Sequence, residues 1–240
     1  MAVFIGRHAR AGEPTRLQYW RKHASGVLQR GLGWYTARWM RRRHVVRFGR
    51  APHRLRLEVP VGVFPPRFFF STALLGRLLR RMPLDGRTLL EIGSGSGAVS
   101  LTAASCGAKV TAIDISSMAV YATRRNAVLN DLEVDVRASD LFGGVDEAFD
   151  VIVVNPPYFR HDPDSELGHA FHAGAGFQYF HRLFAELGDH VRPGGTVLMA
   201  LAEGCDAAIG EIAEQYGCRL ELHDRSMSLL QWNYVFVVHC

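Results

Sequence analysis

Apolar residues along this chain change their spacing twice. Pro14-Thr15 followed by Leu17, Trp20, Val27 and Leu28 predicts a short helix stopped near Gly31-Leu32-Gly33, and a second helical piece is expected over about 34–43. His44-Val45-Val46-Arg47-Phe48 and the two-residue alternation Arg54-Leu55-Arg56-Leu57-Glu58-Val59 then flank Gly49-Arg50-Ala51-Pro52, which predicts a β-hairpin. Val61-Gly62-Val63-Phe64-Pro65-Pro66 leads into a helix from Thr72 to Met82. From residue 87 short apolar runs alternate with helical segments. Strands are expected over Thr88–Ile92, Lys109–Ile113, Leu132–Val136, Phe149–Val154, Gly195–Leu201, Arg219–His223 and Tyr234–Val238. Helices fall over Ala98–Cys106, Met118–Asn130 and about 175–191 and 204–216. Near-continuous apolar strands alternating with helices imply an α/β fold, a Rossmann-like and mostly parallel seven-stranded sheet with helices on both faces.

Charge divides the chain in two. Residues 1–60 hold 14 Lys and Arg against two acids, and the remaining 180 hold 14 against 21. This predicts a basic N-terminal extension over 1–60, helices followed by a hairpin, on a mildly acidic domain over 61–240. Trp20, Trp34, Tyr35 and Trp39 lie among the arginines, so the extension reads as a solvated helical arm, a nucleic-acid-binding arm or a membrane-surface contact. No apolar run approaches the roughly 18 residues of a membrane span. The first residues are too short an apolar stretch for a secretory signal, although an Arg-rich, acid-poor start has the character of a mitochondrial leader. Cysteines 106, 205, 218 and 240 show neither metal nor disulfide spacing, which predicts reduced thiols and a cytoplasmic setting.

The candidate chemistry sits at three strand ends. Gly93-Ser94-Gly95-Ser96-Gly97-Ala98 lies where a strand turns into a helix, so its glycines permit a tight turn and close approach of a ligand to the backbone. Asp114, with Ile115 after it, ends the next strand, where a carboxylate accepts ribose hydroxyl bonds. These two features fit a nicotinamide dinucleotide or S-adenosylmethionine equally. Glu91 puts an acid at the sheet edge, and Ser139-Asp140-Leu141-Phe142 offers a third carboxylate for an adenine amino group, with Leu141 or Phe142 to pack on the ring. Three acids around one pocket favour a cationic ligand over a pyrophosphate.

Asn155-Pro156-Pro157-Tyr158 follows the apolar run 149–154. Two prolines end the strand, and Asn155 is driven to extended backbone by the proline after it. A stiff strand end presenting an amide, backbone carbonyls and an aromatic ring can hold a planar group bearing NH₂. No metal is expected, since none of the 11 histidines shows ligand spacing. His161, His169 and His172 lie near the expected mouth as loop histidines.

Glu91-Ile92-Gly93-Ser94-Gly95-Ser96-Gly97, Asp114, Asp140 and Asn155-Pro156-Pro157-Tyr158 together resemble the successive motifs of class I S-adenosylmethionine-dependent methyltransferases, the last being that of enzymes that methylate nitrogen. The stretch from Ser139 through Tyr158, the hairpin leading into Val63-Phe64-Pro65-Pro66-Arg67 and the segment Ala170–Phe177 are similar to release-factor glutamine methyltransferases of the HemK type. Phe68-Phe69-Phe70-Ser71 replaces that family's acidic-Thr pair, and the N-terminal segment is shorter and more basic. The resemblance implies S-adenosyl-L-methionine as cofactor, with Glu91, Gly93, Ser94, Gly95, Gly97, Asp114, Ile115, Asp140, Leu141 and Asn155 binding it. It implies Asn155, Pro156, Pro157 and Tyr158 as the catalytic element. The acceptor it implies is a glutamine-bearing loop of a protein; an exocyclic amine of an rRNA or tRNA base and a small-molecule amide are the alternatives.

Overall fold

The computed structural model describes residues 38–39, 41–49, 54–66, 70–164, 168–228 and 231–240. The helix expected near residue 14 lies outside them; of the second, Arg38 and Trp39 are in helical conformation, whereas 41–43 are not helical and lead into the first strand. The elements are β1 (His44–Phe48), β2 (Leu55–Val59), α1 (Phe70–Leu79), β3 (Thr88–Ile92), α2 (Ala98–Ala104), β4 (Lys109–Asp114) and α3 (Ser117–Leu129). They continue with β5 (Asp135–Ala138), β6 (Phe149–Val154), α4 (Gln178–Leu187), β7 (Val191–Ala202), α5 (Asp206–Gln215), β8 (Arg219–Ser228) and β9 (Gln231–His239).

Seven strands form one sheet in the order β5-β4-β3-β6-β7-β9-β8. β5, β4, β3, β6 and β7 run parallel, and β9 is antiparallel to both of its neighbours. The two-residue side-chain period divides each central strand between two cores. Leu89, Val151 and Val153 join Leu74, Leu75, Leu78 and Leu79 of α1 and Val99 of α2 on one face. Leu90, Ile152 and Val154 join Phe180, Leu183, Phe184 and Leu187 of α4 and Ile209 and Ile212 of α5 on the other. Chain order reverses between β3 and β6, so the crevice for a ligand opens at their carboxyl ends, as in other doubly wound sheets.

The hairpin pairs from His44↔Val59 to Phe48↔Leu55 and buries Val46, Phe48, Leu55, Leu57 and Val59 against Ala98 and Leu101 of α2 and Ala122 and Ala127 of α3. Trp39 packs against this same cluster and stacks on His44 with ring centroids 3.6 Å apart, so one of the aromatics among the arginines faces protein.

Two expectations are corrected. The third strand starts at Asp135, not Leu132, because the Leu132 N–H closes the end of α3 on the Ala127 carbonyl and ladder pairing begins only at Thr111↔Asp135. Cys218 and Cys240 are not separate thiols: they form a disulfide across 22 residues. The antiparallel ladder that begins at Arg219↔His239 puts the two flanking cysteines opposite each other, a proximity that spacing along the chain does not reveal. Cys106 and Cys205 are not disulfide-bonded. Among the described residues no helix is long and apolar enough to cross a membrane.

Candidate active site at the carboxyl ends of β3, β4 and β6

A cavity of about 680 Å³ opens where the three strands end. Its lining unites Glu91, Gly93, Ser94, Gly95, Asp114, Ile115, Asp140, Leu141 and Asn155 through Tyr158. Of the residues expected from sequence to meet the ligand, Gly97 and Phe142 are not in it, Phe142 lying in the core and stacked on His190. Gly97 belongs to the same turn one layer beneath.

The glycine loop leaves β3 with the N–H groups of Gly93 and Ser94 both donating to the Ile113 carbonyl, at 2.9 and 3.0 Å. Gly93 (φ 79) and Gly95 (φ 54) take left-handed backbone, and a Cβ built on either would meet no protein atom within 4 Å. At these positions glycine keeps the backbone bare towards the cleft, which is what a ligand lying on the loop requires. Gly97 differs: a Cβ there would lie 3.0 Å from Thr123 Cγ2, so its glycine serves the packing of the turn on α3.

Glu91 is buried, and its Oε2 accepts the Ser100 backbone N–H at 2.7 Å together with the Ser100 hydroxyl. α2 has glycine at its N-cap and no side-chain cap of its own, so a carboxylate from β3 satisfies one of the helix's open N–H groups. Burial is the largest influence on this carboxyl and pushes its pKa up to about 8; the bonds from Ser100 oppose the rise and Asp114 adds to it. A cation beside Glu91 would favour its ionised form. Between pH 4.5, the ordinary value, and about 8 the folded chain holds a proton that the unfolded chain has released. Stability therefore falls as pH rises through that window, by at most about 1.4 kcal/mol per pH unit. Denaturant midpoints at pH 5, 6.5 and 8 should decline in the wild type. Glu91→Gln, which mimics the protonated acid, should flatten the decline, and an unchanged slope in the variant would place the effect elsewhere.

Asp114 holds the loop from the β4 side. Its Oδ2 accepts from Gly95 N–H at 2.8 Å and its Oδ1 from Ser116 N–H at 2.9 Å. Burial nevertheless raises its pKa. Each oxygen keeps a further lone pair for a hydroxyl donor. Asp140 sits in a turn held by Ser139, whose hydroxyl donates to the Leu141 carbonyl at 2.8 Å and accepts the Gly144 N–H at 3.0 Å. Leu141 is buried with φ 50, and the Asp140 carboxylate pairs with Arg182 of α4 at 2.9 Å, both side chains about half exposed.

Ile92↔Val154 is the last register pair of β3 and β6, so Gly93 and Asn155 leave the sheet side by side. The Asn155 side chain is half-buried and has no hydrogen-bond partner among the described residues. Pro156 is buried, which stiffens the strand end. The Tyr158 phenol is pushed up to about 12, chiefly by burial and then by Cys205, so it keeps its proton at neutral pH and cannot act as a base. Beyond it, Phe159 N–H bonds to the Phe171 carbonyl and Ala173 N–H returns to the Phe159 carbonyl, both at 2.9 Å. That clasp brings Phe171 to 4.8 Å from Phe64 and the His161 and His172 rings to 5.0 Å from each other, forming the outer wall of the cleft. Among the described residues no group of three His, Cys, Asp or Glu could hold a metal ion.

Sequence reasoning missed Ser100, Thr123, Asn126, Tyr179 and Arg182. Tyr179 and Arg182 line the cavity from α4, and burial foremost raises the Tyr179 phenol pKa. Thr123 and Asn126 did leave a signal, since they are polar residues that helical spacing places on one face with Ala119, Val120, Ala122 and Ala127, the other buried residues of the helix.

The methyltransferase small domain family matches residues 60–208. A protein of Methanocaldococcus jannaschii named as a protein N5-glutamine methyltransferase is 38% identical over 120 residues, 48% of this chain and 61% of that one. A release factor glutamine methyltransferase of Koribacter versatilis is 32% identical over 158 residues, 60% of this chain and 56% of the other. The chain thus spans less than two thirds of the length of either relative. Among solved structures, a T. thermophilus 16S rRNA N2 methyltransferase in complex with AdoMet and guanosine matches 81% of this chain and 50% of that one, with a TM-score of 0.62 at 20% identity. That likeness is one of fold.

Proposed function

The chain belongs to the methyltransferase small domain family, and we propose that it is an S-adenosylmethionine-dependent methyltransferase acting on nitrogen, with a protein glutamine amide as acceptor. The observation that carries the reading is the Asn155 amide, unpartnered at the cavity and rigidly mounted beside the glycine loop's own strand. The residues fit the cofactor: the loop is bare where a Cβ would occupy the cleft, Asp114 and Asp140 bring carboxylates to the cavity, and a bound cation would favour the ionised form of Glu91 as well. Glu91, Gly93, Ser94, Gly95, Gly97, Asp114, Ile115, Asp140 and Leu141 would hold it. When bound it supplies an electrophilic methyl group.

The chain's own contribution is to make a poor nucleophile reactive. An amide nitrogen has its lone pair delocalised into the carbonyl. The Asn155 side-chain carbonyl and the Pro156 backbone carbonyl can each accept one N–H of the target, which fixes its orientation. Such positioning is worth up to roughly 7–11 kcal/mol in ideal cases. The same two acceptors stabilise positive charge as it grows on nitrogen. Tyr158, Phe64 and Phe171 offer flat apolar surface for a planar group. The methylated amide then loses its proton to water.

A glutamine acceptor has the support of the two relatives named above. An RNA base amine is the second reading, favoured by the 14 basic residues against two acids in residues 1–60. A cytoplasmic location goes with either acceptor. Incubating the protein with methyl-labelled S-adenosylmethionine and a total cell extract decides between them. Label should enter protease-sensitive material. Nuclease-sensitive label would move the acceptor to RNA, and label in neither macromolecule would overturn both. If RNA is the acceptor, deleting residues 1–37 should reduce labelling and leave cofactor affinity intact.

A further inference from the structure

We propose that Asn126 is a positioning residue for the glycine-rich loop, and that through it the β1–β2 hairpin forms part of the cofactor site. The proposal rests on the reading of that loop as the seat of S-adenosylmethionine. Asn126 is fully buried on α3, yet its side chain makes three hydrogen bonds to two other segments. Its Oδ1 accepts the Glu58 N–H at 2.7 Å, and its Nδ2 donates to the Glu58 carbonyl at 2.8 Å and to the Ser96 carbonyl at 2.9 Å. A side-chain amide has the donor and acceptor of a peptide group, so Asn126 stands where a neighbouring strand would pair with the outer edge of β2. The second donor hydrogen is left over for the glycine loop.

Asn130, one turn later, repeats the first half of this arrangement. It accepts the Arg56 N–H at 2.9 Å and donates to the Arg56 carbonyl at 2.8 Å, and its other bond goes to the Asn126 carbonyl, not to the loop. The two asparagines therefore divide the work: both hold the hairpin, and only Asn126 joins it to Ser96. The loop needs such an outside hold. Ser96 lies between Gly95 and Gly97, both with positive φ. The start of the loop is tied to the Ile113 carbonyl through Gly93 and Ser94 N–H, and further ties run from Asp114 to Gly95 N–H and from Thr123 to Ser94 Oγ at 3.1 Å and to the Gly95 carbonyl at 3.3 Å. From the far side Arg43 pairs with the Glu58 carboxylate, and Arg125 lies 3.7 Å from it. The hairpin is thus anchored at the residue whose backbone meets Asn126. Ligand sites tolerate errors of only about 0.5 Å in their supporting groups, and a loop rich in glycine does not supply that rigidity itself.

The experiment compares the full chain with Asn126→Ala and Asn130→Ala, by equilibrium binding of S-adenosylmethionine and by amide hydrogen exchange without ligand. Asn126→Ala should raise the cofactor Kd about tenfold or more and speed exchange over residues 93–100 by a similar factor, the loss expected for buried bonds left unmade. Asn130→Ala should leave both within about twofold, since it removes edge bonds of the same kind without touching the loop. Equal behaviour of the two variants would overturn the proposal. If Asn126→Ala does not fold, the wild type decides: S-adenosylmethionine should slow exchange at Glu58, outside the cavity, in step with the loop. Unchanged hairpin exchange on saturation would overturn it. A wild type that binds no S-adenosylmethionine would sink the cofactor reading, while the ligand-free exchange of the two variants still decides the role of Asn126.

Discussion

Asn155→Ala is expected to lower the rate of methyl transfer by about 10²–10³-fold, the range seen when one preorganised polar group is removed from a developing charge. S-adenosylmethionine affinity should stay within a few-fold of wild type, because the loop, Glu91, Asp114 and Asp140 are untouched by the change. The physical ground is the isolation of this side chain. Its amide has no partner among the described residues, so truncating it frees no protein group and opens no buried bond. Stability should accordingly change by less than about 1 kcal/mol, and a loss of turnover cannot then be blamed on unfolding. Single-turnover kinetics at saturating cofactor, paired with equilibrium binding, separate the two quantities. If the variant loses cofactor affinity and keeps its single-turnover rate, Asn155 belongs to the cofactor cradle and not to the acceptor.

Asp114→Ala is expected to have the opposite signature. Its carboxylate accepts Gly95 and Ser116 N–H groups and has lone pairs left for a ribose. Bonds to a charged acceptor are worth about 1.5–3 kcal/mol each, so losing those to the ligand should raise the cofactor Kd by about 10²-fold. The two backbone N–H groups lose their acceptor as well, which should lower unfolding stability by about 1–3 kcal/mol. Asp114→Asn is the sharper variant. It keeps the shape but turns an NH₂ towards either Gly95 N–H or Ser116 N–H, donor against donor. Both variants should recover much of the wild-type rate at saturating cofactor. Unaltered cofactor affinity in both would mean that the ligand does not reach the end of β4.

Asn155 and Asp114 were legible in the sequence because each follows from local rules. A strand that runs into two prolines must stop, and an acid at the end of the next strand of a parallel sheet must stand at the cleft. The glycine loop was legible for the same reason, since turn chemistry is decided within a few residues. Glu91 was legible as an acid at the edge but not in its partner. Nothing in a strand announces that its carboxylate will cap a helix nine residues later through Ser100.

The chain's own order of residues determined the alternation of strands and helices, the hairpin and the three strand ends that carry the chemistry. All of these depend on periods of two or 3.6 residues and on the backbone limits of glycine and proline, which act between near neighbours. Tertiary structure decided the rest. Asn126 meets Glu58 across 68 residues and Asp140 meets Arg182 across 42, pairings that exist only once α3 lies on β2 and α4 crosses the sheet. Cys218 meets Cys240 only because the β8–β9 register sets them opposite each other. Such contacts follow from how whole elements pack, and packing depends on shape summed over many side chains that no local pattern contains.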